Sequence, residues 1–226
     1  MKKLLCLIIV FIPAILFAQG IRWAADGNSY YKIESSELVQ YTLPENKKNT
    51  IVSVADLTPQ GQNKNITIRS FTFSSDGQQV LIYTNTKKVW RLDTQGNYWV
   101  FNLSNKSLIK IGQTQKESTL RFGKFSPDGQ KVAYVSEYDL FVEDIVQHKT
   151  IRLTSDGSRR LINGTFDWAY EEEFACRDGF QWSPDSKQIS FWRIDATKIR
   201  DFYMINNTDS VYSKIVPVEY PIWVLY

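Results

Sequence analysis

A chain of 226 residues that is 43% hydrophobic and 14% aromatic carries enough apolar surface to bury a core, which excludes general disorder. Its 27 Lys and Arg stand against 24 Asp and Glu, and two of the lysines are Lys2 and Lys3, so the remainder is close to neutral. That balance gives no electrostatic ground for binding nucleic acid or an anionic membrane surface, and the aromatic content favours a sheet-rich fold.

The N-terminus reads as an export signal over residues 1–18. Lys2 and Lys3 precede an apolar run from Leu4 to Phe17, broken only by Cys6 and Pro13, and Ala18 offers a small residue for cleavage before Gln19. The run falls short of the roughly 20 residues of a membrane span, although an uncleaved anchor is the competing reading. The expectation is an exported protein, periplasmic or extracellular, with no membrane span once the signal is removed. Cys176 is then the only cysteine, so no disulfide framework is expected.

From residue 19 onward a repeat organises the chain. Ile21-Arg-Trp-Ala-Ala-Asp-Gly27, Phe71-Thr-Phe-Ser-Ser-Asp-Gly77, Gly123-Lys-Phe-Ser-Pro-Asp-Gly129 and Phe180-Gln-Trp-Ser-Pro-Asp-Ser186 share one pattern, a strand running into a polar turn. Their aspartates, Asp26, Asp76, Asp128 and Asp185, are spaced by 50, 52 and 57 residues. Asp bonds to its own following backbone in such turns, Pro127 and Pro184 fix φ at the start, and Gly77 and Gly129 supply positive φ. Apolar strands follow at Val80–Tyr83, Val132–Val135 and Ile189–Trp192. Further strands lie at Tyr98–Phe101 and Asp139–Val142, with closing strands at Leu108–Ile111 and Thr150–Leu153. Four short strands per unit of this length is the arithmetic of a β-propeller blade, with a β-sandwich as the alternative. The fold class expected is all-β: a partial β-propeller of about four blades of four-stranded antiparallel sheets, near 19–60, 64–113, 116–155 and 160–221. A short helical insert in the fourth blade carries a cluster of glutamates.

That insert is Asp167-Trp-Ala-Tyr-Glu-Glu-Glu-Phe174, which does not alternate like a strand; Asp167 is placed to cap a short helix. Three adjacent carboxylates are read in two ways. They are a solvated helix face favoured by the macrodipole, or a cluster that holds a cation between its members. A metal is disfavoured by the single histidine and the lack of a spaced Asp/Asn loop, which leaves a ligand's ammonium group as the cation; no cofactor is expected.

The stretch Asn163-Gly-Thr-Phe-Asp-Trp-Ala-Tyr-Glu-Glu-Glu-Phe174 resembles the double-glutamate motif of the dipeptidyl peptidase IV family, with Ala169 where that family often has Val. Phe180-Gln-Trp-Ser-Pro-Asp-Ser-Lys-Gln-Ile-Ser-Phe191, Asp201-Phe-Tyr-Met204 and Val218-Glu-Tyr-Pro221 follow at the family's spacing, so the resemblance covers nearly all of the chain after the signal. It implies an eight-bladed propeller over an α/β-hydrolase domain in the intact enzyme. It also implies that Glu172 and Glu173 clamp the free α-ammonium of a peptide, with Glu171 a less involved neighbour. Arg91, in Trp90-Arg91 before the divergent loop Leu92 to Asn97, would point toward the substrate's backbone carbonyl and carboxylate side. The implied partners are peptides with a free N-terminus, and members of the family are often homodimers.

No catalytic residue is expected within this chain. It contains no Gly-x-Ser-x-Gly nucleophile elbow, and its one histidine, His148, lies in a polar stretch between strands. Residues 222–226 diverge from the family after Tyr220-Pro221, which reads as truncation or a frameshift. The functional expectation is the ammonium-binding propeller portion of a secreted serine-type dipeptidyl peptidase. The alternative is an exported, non-catalytic propeller that binds peptide or protein.

Overall fold

The computed structural model describes residues 20–220, so the signal reading at 1–18 and the divergent tail at 222–226 lie outside the described residues. The first sheet contains β1 (Arg22–Trp23), β2 (Ser29–Glu34), β3 (Glu37–Thr42) and β4 (Lys47–Val52), antiparallel and in chain order. The second contains β5 (Ser70–Phe73), β6 (Gln79–Val89), β7 (Leu92–Asn102) and β8 (Leu108–Ile111). The third contains β9 (Leu120–Phe125), β10 (Lys131–Ser136), β11 (Asp139–Asp144) and β12 (Lys149–Arg152), and one pairing, Gly96 with Leu120, joins it to β7.

The fourth unit is built differently. Its strands β13 (Leu161–Asn163), β14 (Phe180–Trp182), β15 (Ile189–Phe191), β16 (Arg193–Asp195), β17 (Asp201–Asn206) and β18 (Lys214–Glu219) form three two-stranded pieces, β13 with β16, β14 with β15 and β17 with β18. The helix α1 (Trp168–Glu173) separates β13 from β14, and strands of three residues are too short to carry a ladder across the interruption. The result is the all-β, antiparallel architecture of a β-propeller with a short helical insert, and no sheet among the described residues closes on itself.

The sheets stack through both of their faces, because side chains alternate along a strand. In β6, Val80 and Ile82 pack toward the first unit with Leu38, Val52 and Leu57, while Leu81 packs toward the third with Val132 and Tyr134. Trp99 and Phe101 of β7 face the first unit, and Tyr98 and Val100 face the third. β10 repeats the rule one unit on: Val132 and Tyr134 face back, and Ala133 and Val135 face forward onto Phe180 and Trp182.

The repeated turns have one geometry. The Ser74 hydroxyl donates to Asp76 at 2.6 Å, the Gln78 N–H donates to the same carboxylate at 3.0 Å, and the Gln79 N–H closes onto the Ser74 oxygen at 2.9 Å. Ser126 with Asp128 and Ser183 with Asp185 reproduce it at 2.5 and 2.6 Å. Gly77 and Gly129 take φ of 70° and 72°, and Ser186 takes 62° at the matching place. Neighbouring turns are also linked, since Gln79 Nε2 donates to the Gly129 carbonyl and the Asp128 N–H donates to Ser186 Oγ.

One part of β6 and β7 departs from the expectation of short strands with a loop at 92–97. The two strands run on as a long hairpin whose turn is Trp90-Arg91. Its outer half is mostly polar short of the Val89, Trp90 and Leu92 tip, and its register shifts twice between Thr84 and Lys88, so the period-two apolar signal is lost although the ladder continues.

The turn aspartates make acid stability a test of this repeat. Hydrogen bonds from serine hydroxyls hold Asp76, Asp128 and Asp185 below the ordinary aspartate value of 3.8. A folded-state value below the unfolded one means that their contribution is complete above pH 3.8 and is lost as pH falls through the lower folded values. The thermal midpoint is expected to fall below about pH 4, and replacing Asp76 and Asp128 with Asn is expected to flatten that fall in a pH series of melting curves.

Candidate functional site

The insert between β13 and β14 is a closed loop with a narrow neck. Thr165 and Asp178 form an isolated antiparallel bridge, and the Gly179 N–H donates to the Gly164 carbonyl at 3.1 Å. A Cβ at Gly179 would lie 2.9 Å from the Gly164 carbonyl carbon, so the two backbone segments meet only because no side chain intervenes. Within the loop, Asp167 is extended (φ −77°, ψ 178°) and its carboxylate accepts the Tyr170 N–H at 3.0 Å, which is the N-cap expected from the sequence. The helix ends at Phe174, whose N–H still bonds to the Tyr170 carbonyl.

The three glutamates on this one turn have three different environments. Glu171 is 1% exposed and lies between two arginines: Oε2 is 3.5 Å from Arg121 Nη2 and Oε1 is 3.4 Å from Arg177 Nε. Burial pushes its carboxyl above the usual carboxylate range, and the positive charges of Arg121 and Arg177 oppose that shift. The side chain of Glu172 is 11% exposed, and its Oε2 accepts from Arg91 Nε at 2.5 Å. Glu173 is exposed and has no ion-pair partner among the described residues.

Arg91 reaches Glu172 because the long β6–β7 hairpin crosses to the insert. Trp90, at φ 56° on the hairpin turn, packs edge-on against Trp168 of the helix, with ring centroids 6.3 Å apart. Trp168 in turn meets Tyr220 at 5.3 Å. A cleft of about 550 Å³ lies alongside, walled in part by Trp90, Gln95, Arg121, Phe166 and Asp167. The hydroxyl of Thr165, 1% exposed, also belongs to its wall and has no hydrogen-bond partner. Among the described residues, no group of three His, Cys, Asp or Glu side chains is arranged to hold a metal ion.

The structure therefore brings two of the three sequence-derived site residues, Arg91 and Glu172, into contact, and sets Glu173 beside them on the same helix. Sequence reading missed Arg121 and Arg177, which neutralise Glu171. The only available signal for Arg121 was an arginine between Leu120 and Phe122, in a strand whose neighbours are apolar.

Residues 74–222 match the family model described as the dipeptidyl peptidase IV (DPP IV) N-terminal region. The chain is 31% identical over 216 residues to dipeptidyl aminopeptidase B of Saccharomyces cerevisiae, a match covering 89% of this chain and 25% of the relative. The chain thus spans about a quarter of the length of these curated relatives. Among solved structures it is similar to Porphyromonas gingivalis dipeptidyl peptidase 4, with a TM-score of 0.79 and 24% identity. That likeness covers 90% of this chain and 29% of the other, and it speaks for the fold.

Two substitutions separate the neck from the surface pair. Arg91 is largely exposed, so Arg91→Ala is expected to change global stability by about 1 kcal/mol or less. Gly179→Ala forces the neck apart and is expected to cost about 1–3 kcal/mol. Urea denaturation of both variants checks the order.

Proposed function

The chain belongs to the dipeptidyl peptidase IV N-terminal-region family, and from that premise we propose that it is the substrate-recognition portion of an exported serine-type dipeptidyl peptidase. In this reading Glu172 and Glu173 hold the free α-ammonium of a peptide, and Arg91 donates to the peptide backbone close by. The observation that carries the proposal is the meeting of the hairpin turn with the helix, which sets Arg91 against Glu172 with Glu173 next in sequence.

Adjacent carboxylates suit an ammonium group because it is a compact charge with three donors, and charge-assisted hydrogen bonds are the strong ones. A half-buried carboxylate beside an exposed one binds the amine where water competes less, while leaving a path of entry. Glu172 in its pair with Arg91 also presents the guanidinium edge to whatever the carboxylates hold. The remaining Arg91 donors are then placed for a carbonyl one residue along the peptide. A clamp on the amine measures a fixed length of chain from the N-terminus, which is how such a site would set release of dipeptides. Attack on the peptide bond belongs to a hydrolase domain outside these 226 residues, since they contain no Gly-x-Ser-x-Gly.

The test is calorimetric titration of the full chain with the dipeptide Ala-Pro and with N-acetyl-Ala-Pro. Ala-Pro is expected to bind and the acetylated peptide to bind far more weakly. Glu172→Gln and Glu173→Gln are each expected to weaken Ala-Pro about tenfold or more, and added salt is expected to weaken it further. Equal binding of the two peptides, or unchanged affinity in both variants, removes the ammonium clamp.

A further inference from the structure

Glu171 is the most deeply buried of the three carboxylates, and it has two arginines where one would neutralise it. The two differ in what else they hold. Arg177 belongs to the same insert: its Nη2 donates to the Glu171 carbonyl oxygen at 3.3 Å, so it ties the helix to its own return segment. Arg121 comes from β9. Its side chain is nine-tenths buried, its guanidinium lies over the Phe122 ring at 5.2 Å, and its Nη2 is 3.3 Å from the Thr94 hydroxyl. Thr94 is on β7, three residues beyond Arg91 in the hairpin.

These contacts form a closed circuit. The hairpin offers Arg91 and Thr94, and the helix offers Glu171 and Glu172. Arg91 binds Glu172 at the exposed end, while Arg121 joins Thr94 to Glu171 at the buried end. An exposed pair alone holds two elements weakly, because water and salt compete for both partners. A guanidinium shielded from water and shared between the two elements constrains their separation much more firmly.

We propose that Arg121 and Glu171 are positioning residues: together they fix the hairpin that carries Arg91 against the helix that carries Glu172 and Glu173. The value of that spacing to a ligand rests on the ammonium-binding reading above, whereas the spacing itself does not. Arg177 holds the insert together and has no part in the spacing.

The contrast between the two arginines makes the test. In the full chain, with Cys6 and Cys176 replaced by Ser, spin labels at Lys88→Cys on the hairpin and Phe174→Cys after the helix report the separation by pulsed electron paramagnetic resonance. Both sites are exposed. The parent is expected to give one narrow distance distribution. Arg121→Met and the near-isosteric Glu171→Gln are expected to broaden it, Arg121→Lys to restore it in part, and Arg177→Met to lower the melting temperature without broadening it. An unchanged distribution in Glu171→Gln, which serves even where Arg121→Met does not fold, overturns the proposal; so does equal broadening in Arg177→Met. Affinity for Ala-Pro is read on the same variants and is expected to fall about fivefold or more for Arg121→Met and Glu171→Gln. Broadened distances with unaltered affinity leave the positioning role standing and remove the ammonium reading instead.

Discussion

The alternation of side chains in β6, β7 and β10 is the constraint from which the remaining geometry follows. Each of these strands buries both faces, one against the preceding unit and one against the next, so none can rotate or slip by a single residue without exposing a row of aliphatic side chains. With the central strands held this way, the only freedom left to a unit is how far its hairpins project beyond the stacked sheets. The β6–β7 hairpin uses that freedom, running past Thr84 and Asn97 to a turn at Trp90-Arg91. Its direction is inherited from the buried half, and its length sets where Arg91 arrives.

The insert meets that hairpin from the other side, and its chemistry is a solution to crowding of like charge. Three successive carboxylates on a six-residue helix would repel one another and gain little from the short macrodipole. Here the repulsion is relieved by giving each carboxylate a different fate. Glu171 is buried between arginines, Glu172 is matched by Arg91, and Glu173 is left in water. Burial pushes the Glu171 carboxyl above the usual carboxylate range, and the positive charges of Arg121 and Arg177 oppose that shift.

Much of this was readable from residue order, and the divisions follow physical lines. The turns were legible because Ser, Asp and Gly at fixed offsets each satisfy a particular backbone group, and the same bonds recur at Asp76, Asp128 and Asp185. The helix cap at Asp167 was legible for the same reason. The outer half of the β6–β7 hairpin was not, because it is mostly polar between Asn85 and Asn97 and its bulges break the alternation that reveals a strand. Nor was the three-piece construction of the fourth unit, since runs such as Ile189–Phe191 are too short to show which neighbour they pair with. Glu172, Glu173 and Arg91 were singled out through a family motif, and the contact of Arg91 with Glu172 needed coordinates. Arg121 escaped both routes. It lies 50 residues from Glu171 and 27 from Thr94, and nothing local to Leu120-Arg121-Phe122 says that its partners are charged.

The unequal surroundings of Glu172 and Glu173 bear on how a cation would enter such a site. Glu172 is already engaged by a guanidinium, so an arriving ammonium would have to share that carboxylate or displace one of its hydrogen bonds; Glu173 is exposed and has no ion-pair partner among the described residues. In the proposed clamp the first encounter would therefore be with Glu173, at long range and sensitive to salt, and the second with Glu172, at short range and less screened. Sharing is favoured over displacement, because a carboxylate has about four lone-pair directions and Arg91 reaches only one oxygen through Nε. A peptide held in that way would keep Arg91 at its side, and the exposed arm of that arginine would follow it while Arg121 stays between Thr94 and Glu171. The candidate site thus has a guanidinium shielded from water, that of Arg121, at its base and an exposed one, that of Arg91, at its rim.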